Sequence, residues 1–224
     1  MHPIISGTPI KNDLNTWGDF KMGTVAILNM VEIIKKYDTK TFLETGTLHG
    51  DAVELASRSP FEKIHSIEIV ENLVDRAQNR FKNNAKVKIH RGNSVEVLLR
   101  ILPEIKTNIL FWLDAHFPGV DSRHRHITDK MDPIKRLPLE KELNIISQRQ
   151  SSFKDVILMD DLWVYEDGPY EAGSFNNHMK RMGWNITRED IWTDGIEFVY
   201  KLFENTHRII KDYRHQGYIT LYPK

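Results

Sequence analysis

The sequence predicts an α/β domain built around a mostly parallel sheet. Two observations carry that prediction. Short apolar runs alternate with longer amphipathic segments along most of the chain, which is the pattern of successive βα units. One run, Asn108-Ile109-Leu110-Phe111-Trp112-Leu113-Asp114, is apolar almost without interruption, as expected of a central strand covered on both faces. No internal repeat or low-complexity segment competes with this reading.

In chain order, residues 1–20 are polar, contain Pro3, Gly7, Pro9 and Gly18, and read as an N-terminal arm or lid on a single domain spanning 21–224. From Lys21 to Tyr37, Val25, Leu28, Met30, Val31 and Ile34 recur near helical spacing. Strands follow at Thr41–Glu44, Lys63–Glu68, Val87–His90, Asn108–Asp114 and Asp155–Asp160. The intervening helices are expected near 50–58, 71–81, 94–102 and 138–149, with a long polar loop over 117–137. Further on, 174–182 reads as a helix and Tyr218–Tyr222 as a last strand. The stretch 195–213 fits either one helix or a helix running into a hairpin strand.

Composition narrows the function. The 224 residues are 40% hydrophobic and 28% charged, enough for one sizeable core. Lys plus Arg and Asp plus Glu both number 31, so the chain lacks the basic excess that neutralises phosphates, and nucleic acid is disfavoured as a partner. The absence of cysteine removes disulfides, thiolate zinc sites and cysteine nucleophiles. No apolar run approaches a membrane span and no signal-peptide core is visible, so a cytoplasmic location is expected.

The strongest motif is Phe42-Leu43-Glu44-Thr45-Gly46-Thr47-Leu48-His49-Gly50, a strand ending in an acid and then a glycine turn into a helix. Glycine suits a tight turn whose backbone must come close to a ligand, although an ordinary βα turn looks the same. Glu68 ends the second strand 24 residues after Glu44, where a carboxylate can accept hydrogen bonds from both ribose hydroxyls of a nucleoside, or can simply be solvated. Arg91-Gly92-Asn93-Ser94 follows the third strand, where Asn93 and Ser94 can meet an adenine edge or cap a helix.

In order and spacing, Glu44-x-Gly46-x-x-x-Gly50, Ile67-Glu68, Gly92-Asn93-Ser94 and Leu113-Asp114 resemble class I S-adenosylmethionine (SAM)-dependent methyltransferases, over roughly residues 40–165. The resemblance implies a Rossmann-like fold, with a mostly parallel seven-stranded sheet and helices on both faces. It also implies SAM as cofactor, held by Glu44, Gly46, Thr47, Gly50, Glu68, Asn93, Ser94 and Asp114. Many members carry a third glycine where this chain has Leu48; metal-dependent O-methyltransferases of small molecules often lack it too.

A second constellation sits at the ends of two later strands. Asp114 and His116 follow Leu110–Leu113, and Asp160 and Asp161 follow Val156–Met159. The carboxyl ends of parallel strands share one ligand-binding rim. Three aspartates gathered there repel one another unless a cation lies between them, and hard oxygen donors suit a divalent metal, Mg²⁺ or Mn²⁺ foremost. The layout resembles the metal site of small-molecule O-methyltransferases, including antibiotic-sugar enzymes, and implies Asp114, Asp160 and Asp161 as ligands. A metal on the acceptor hydroxyl would favour its alkoxide, with His116 or Asp114 taking the proton. The alternatives are a metal-free enzyme with His116 as base, or aspartates that merely cap.

Leu113-Asp114-Ala115-His116, Pro138-Leu139-Glu140-x-Glu142-Leu143 and Asp160-Asp161 together resemble bacterial methyltransferase-like proteins of surface-polysaccharide synthesis, which implies a sugar or nucleotide-sugar acceptor. The run Asp121-Ser122-Arg123-His124-Arg125-His126 reads as a solvated loop, or as one gripping a diphosphate or metal. Trp163, Tyr165 and Tyr170 either wall an acceptor pocket or pack in the core. Rival functions are an NAD-dependent oxidoreductase, disfavoured by the missing G-x-G-x-x-G, and a non-catalytic SAM-binding protein. Homodimers are common in this fold, but no segment declares an interface.

Overall fold

The computed structural model describes residues 25–116, 137–181 and 187–224. The N-terminal arm and the 121–126 run lie outside the described residues. Helix α1 (Met30–Tyr37) leads into β1 (Thr39–Thr45), followed by α2 (Asp51–Ser57), β2 (Lys63–Glu68), α3 (Glu71–Phe81), β3 (Val87–Arg91), α4 (Ser94–Ile101) and β4 (Asn108–Leu113). Helix α5 (Leu139–Ser147) precedes β5 (Val156–Met159), and α6 (Phe175–Arg181) and α7 (Glu197–Phe203) precede the hairpin of β6 (His207–Asp212) and β7 (Tyr218–Pro223).

The strands form one seven-stranded sheet in the order β3-β2-β1-β4-β5-β7-β6. The first five pair in parallel, whereas β7 runs antiparallel to both β5 and β6. The order reverses between β1 and β4, and at such a switch point the loops after the strands part and leave a crevice.

Alternation along the strands divides the core in two. Leu43, Phe111, Leu113 and Ile157 face Leu98, Leu143 and Phe203 of α4, α5 and α7. Phe42, Leu110, Trp112 and Leu158 face Val53, Val74 and Ala77 of α2 and α3. This period of two on a sheet covered on both sides is why β4 reads as a continuous apolar run.

Two expectations change in detail. The helical spacing from Lys21 to Tyr37 is not one helix: a 3-10 turn at Val25–Ile27 ends, and Asn29 accepts the Glu32 N–H at 3.2 Å to cap a fresh α1. The ambiguous stretch 195–213 resolves as α7 and then β6. The break falls at Asn205-Thr206, where the Thr206 hydroxyl donates to the Gln150 side chain and the His207 ring bonds the Asp155 carbonyl at 3.1 Å.

On β2 and β3, His65 Nδ1 and His90 Nε2 lie 2.9 Å apart. Burial, then Lys88 and Lys63, lowers His65 to about 4; burial, then His65, Lys88 and Arg100, lowers His90 to about 4. The folded chain therefore binds these protons less readily than the unfolded one, whose imidazoles titrate near ~6.5. Their contribution is complete above that value and is lost as pH falls toward 4. We expect imidazole NMR resonances of both residues to titrate near pH 4. Midpoints at the ordinary value would mean that the pair is solvated.

Candidate active site

The turn after β1 is fixed by contacts between strand ends. Gly46 N–H donates to the Ile67 carbonyl at 2.9 Å, and Asp114 N–H donates to the Thr45 carbonyl at 3.0 Å. Gly46 has φ +88°, and a Cβ there would stand 2.5 Å from the Asp114 carbonyl oxygen. Only glycine satisfies both the backbone angle and that approach. Glu68 is buried and accepts two backbone N–H bonds, from Leu48 at 2.9 Å and Val70 at 2.8 Å. Leu48, in the place of the third glycine, takes the left-handed conformation at φ +47°. The Leu48–Glu68 bond ties the turn after β1 to the end of β2 directly.

The other residues expected at the cofactor also make contacts within these turns. Glu44 is 2% exposed, and its carboxylate accepts the Ser66 hydroxyl at 2.5 Å, which in turn meets the Thr47 hydroxyl. Burial first, partly offset by Ser66, and then the charges of Asp114, Glu68 and Asp51 raise its pKa well above the ordinary value. Gly50, at φ +82°, is the N-cap of α2. Asn93 caps α4 by accepting the Val95 N–H at 3.0 Å, and Ser94 opens that helix in a buried position. Gly46, Glu68 and Asp114 thus stand together where β1, β2 and β4 end, and Glu44, Thr47, Gly50, Asn93 and Ser94 lie at the ends of the same strands or the starts of α2 and α4.

The structure brings the second constellation together as well. Asp160 N–H donates to the Leu113 carbonyl at 3.1 Å, which sets the end of β5 beside that of β4. Asp161 then adopts φ +54°, a left-handed conformation that Asp tolerates better than most residues. His116 lies between two carboxylates: Nδ1 is 3.3 Å from Asp114 Oδ1, and Nε2 donates to Asp161 Oδ2. Burial would lower this imidazole, but Asp161, Asp114 and Asp160 outweigh it and raise it to about 10. Burial, then Asp161 and Asp114, pushes Asp160 well above the usual carboxylate range. The three aspartates thus favour the imidazolium form of His116, which places a positive charge among them.

The three aspartates offer the hard oxygen donors that a divalent cation prefers. Among the described residues, however, no three His, Asp or Glu side chains are disposed as a metal-binding group. A cation on Asp114 and Asp161 requires His116 to give up its place or its proton.

Trp163, Tyr165 and Tyr170 are buried in the core behind the rim; Trp163 packs edge-on against Phe175 and His178, and Tyr165 against Trp192. Glu142 of α5, 1% exposed, stands in the Pro138–Leu143 motif, which by itself assigns it no site role. Its signal was present in the sequence: Leu139, Glu142, Leu143 and Ile146 follow i, i+3, i+4, i+7, which sets a carboxylate on an apolar helix face.

No protein-family profile matches the chain. No curated protein sequence matches it either. Solved structures do resemble it. The S-adenosylhomocysteine (SAH)-bound methyltransferase PaMTH1 of Podospora anserina superposes with a TM-score of 0.54 at 16% identity, over 87% of this chain and 76% of that one. A Staphylococcus aureus protein with proposed caffeoyl-CoA O-methyltransferase activity gives 0.56 at 16% identity, over 87% and 81%. The SAH complex of a Bacillus cereus O-methyltransferase gives 0.50 at 15% identity, over 87% and 79%. At these identities the likeness establishes the fold: a Rossmann-like class I methyltransferase sheet with helices on both faces. Among the described residues, no helix is long and apolar enough to cross a membrane.

Proposed function

We propose that this chain is an enzyme that transfers a methyl group from SAM to a hydroxyl of a small molecule. The reading rests above all on the seat at the switch point, where Gly46 meets the Asp114 backbone with no room for a Cβ and Glu68 stands alongside. Glycine is required there by geometry, in a fold whose relatives bind SAH at their own sites. Residues of the rim, Gly46, Glu68 and Asp114, would hold the cofactor together with Glu44, Thr47, Gly50, Asn93 and Ser94 of the same turns. When bound, SAM supplies a methyl group on a sulfonium, open to in-line attack by the acceptor oxygen as the carbon–sulfur bond breaks.

The acceptor proton must leave, and the rim provides for that. Asp114 takes the proton, and Asp160 and Asp161 complete the carboxylate set. A divalent cation, Mg²⁺ or Mn²⁺, would be held by Asp114, Asp160 and Asp161 and would stabilise the alkoxide. The position of His116 favours a second reading, in which no metal is needed. There the imidazolium supplies the positive charge beside the acceptor oxygen while Asp114 receives its proton. The acceptor class, a sugar or nucleotide-sugar, rests on the resemblance to polysaccharide-linked proteins.

Calorimetry with SAM and SAH tests the central claim. Wild type is expected to bind both in the micromolar range, and Glu68→Ala to weaken binding at least about tenfold, a loss of about 1.4 kcal/mol. Glu68→Gln, which keeps an acceptor for Leu48 N–H, separates loop integrity from ribose recognition. No SAH binding by wild type would sink the methyltransferase reading. Turnover with EDTA and then with added Mg²⁺ divides the two mechanisms: activity lost to the chelator requires the metal, and activity kept assigns the charge to His116.

A further inference from the structure

Helices of a parallel α/β sheet run back against the strands, so their first turns line the same edge as the strand ends. Glu142 lies in the first turn of α5, the first helix after β4 among the described residues. It is 1% exposed, and its surroundings are all parts of the candidate site. Thr45, the residue before Gly46, donates its hydroxyl to Glu142 Oε2 at 3.4 Å. Ser94, at the start of α4, and His116 both act on this carboxyl and favour its charged form. The other oxygen, Oε1, is buried and, among the described residues, has no hydrogen-bond partner.

A buried acceptor without a donor destabilises the state that contains it, and one so placed at a ligand rim calls for a reason. Nothing in the packing of α5 requires a carboxylate: Leu139, Leu143 and Ile146 make its apolar face and Glu142 interrupts it. We infer that Glu142 is a positioning residue for the proposed methyl transfer, whose unpartnered oxygen gains a donor when the cofactor is seated. Through Thr45 it ties the glycine turn after β1 to the first turn of α5. A donor brought by the cofactor would satisfy this oxygen and so add to the cofactor's affinity. Burial first, offset in part by Ser94, Thr45 and His116, raises this carboxyl to about 7, consistent with an anchor held short of full satisfaction.

This inference rests on the methyltransferase reading, and its test separates the two. SAH affinity and the thermal midpoint of the ligand-free protein are measured for wild type, Glu142→Met and Glu142→Gln. Methionine matches the length of glutamate without the orphaned oxygen. The ligand-free Glu142→Met protein is expected to melt no lower than wild type while binding SAH at least tenfold more weakly, and Glu142→Gln to recover affinity to within about threefold. Opposite signs of the two effects are what a purely structural carboxylate does not produce. A lowered midpoint with unchanged SAH affinity, or unchanged affinity in both variants, overturns the role. If wild type itself fails to bind SAH, the methyltransferase reading falls and this inference falls with it; binding by wild type and by Glu142→Met alike overturns the inference alone.

Discussion

Replacing Gly46 with alanine is expected to abolish measurable SAH binding at ordinary concentrations, a loss of at least about 100-fold, or about 2.8 kcal/mol. Two independent penalties act at this position. An L-residue at φ +88° is strained, by about 1–2 kcal/mol on the scale for left-handed backbone. The added methyl also meets the Asp114 carbonyl oxygen at 2.5 Å, its carbon at 3.0 Å and Ala115 Cα at 3.3 Å. All three are backbone atoms, so no side chain can swing aside, and the ends of β1 and β4 must part. That movement breaks the Asp114 N–H bond to the Thr45 carbonyl and displaces Asp114 from His116. Gly173→Ala is the matched control: its φ is +84°, but nothing lies within 4 Å of the new Cβ. Both variants pay for the angle, and only Gly46→Ala also carries the clash. Calorimetry and thermal denaturation of the pair therefore isolate the close approach. Equal SAH affinity in the two variants would mean that the turn after β1 does not form the cofactor seat.

How much of this was legible in the sequence differs by the kind of signal. Strand β2 and helix α3 carry the expected bounds, because Lys63–Glu68 and Glu71–Phe81 have clear periodicities with a turn between them. The run from Asn108 to Leu113 announces β4 because both faces of the sheet are covered, and glycine marks the turn after β1 because its backbone allows nothing else. Strand-end logic also puts Asp114, His116, Asp160 and Asp161 on one rim, as the structure does. What pattern could not give was the order of contacts within it. Whether a cation between aspartates is a metal or the His116 imidazolium depends on ångström-scale placement, and no spacing rule encodes that. Nor could it tell which partners a buried strand-end carboxylate takes: Glu44 turns to Ser66, whereas Glu68 accepts the backbone N–H groups of Leu48 and Val70. Glu142 was legible in principle as a charge on an apolar helix face, but that reading needs the helix register first. Arg149 and Asp155 are harder still, since nothing local distinguishes a buried ion pair from two solvated charges.

That pair carries the largest stability effect expected in the molecule. Arg149 is 8% exposed and Asp155 4%, and Arg149 Nε donates to Asp155 Oδ2 at 2.9 Å. The same guanidinium donates to the carbonyls of Leu102 at 3.1 Å, Ile105 at 2.8 Å and Thr107 at 3.0 Å, and Asp155 Oδ1 accepts the Ile109 N–H at 2.7 Å. One ion pair thus closes the approach to β4 and the start of β5. Arg149→Met removes the partner of a buried carboxylate and strands three carbonyls, so a loss of about 3–5 kcal/mol is expected in urea denaturation. At about 2–4 °C per kcal/mol for a chain of this size, the thermal midpoint should fall by roughly 10 °C. Burial already raises Asp155 above its ordinary value while Arg149 pulls it down, so without Arg149 the carboxyl rises further. A folded-state pKa above the unfolded one gives stability that is complete at low pH and lost as pH rises. The gap between variant and wild type should therefore widen as pH rises above the ordinary carboxylate range. Replacing Asp155 with leucine as well removes the stranded charge, and with it the widening, but the carbonyls and the Ile109 N–H remain without partners. The double variant should accordingly recover only part of the loss. Full recovery would show that charge desolvation, and not the five-way hydrogen bonding of these two side chains, is what holds the edge of the sheet together.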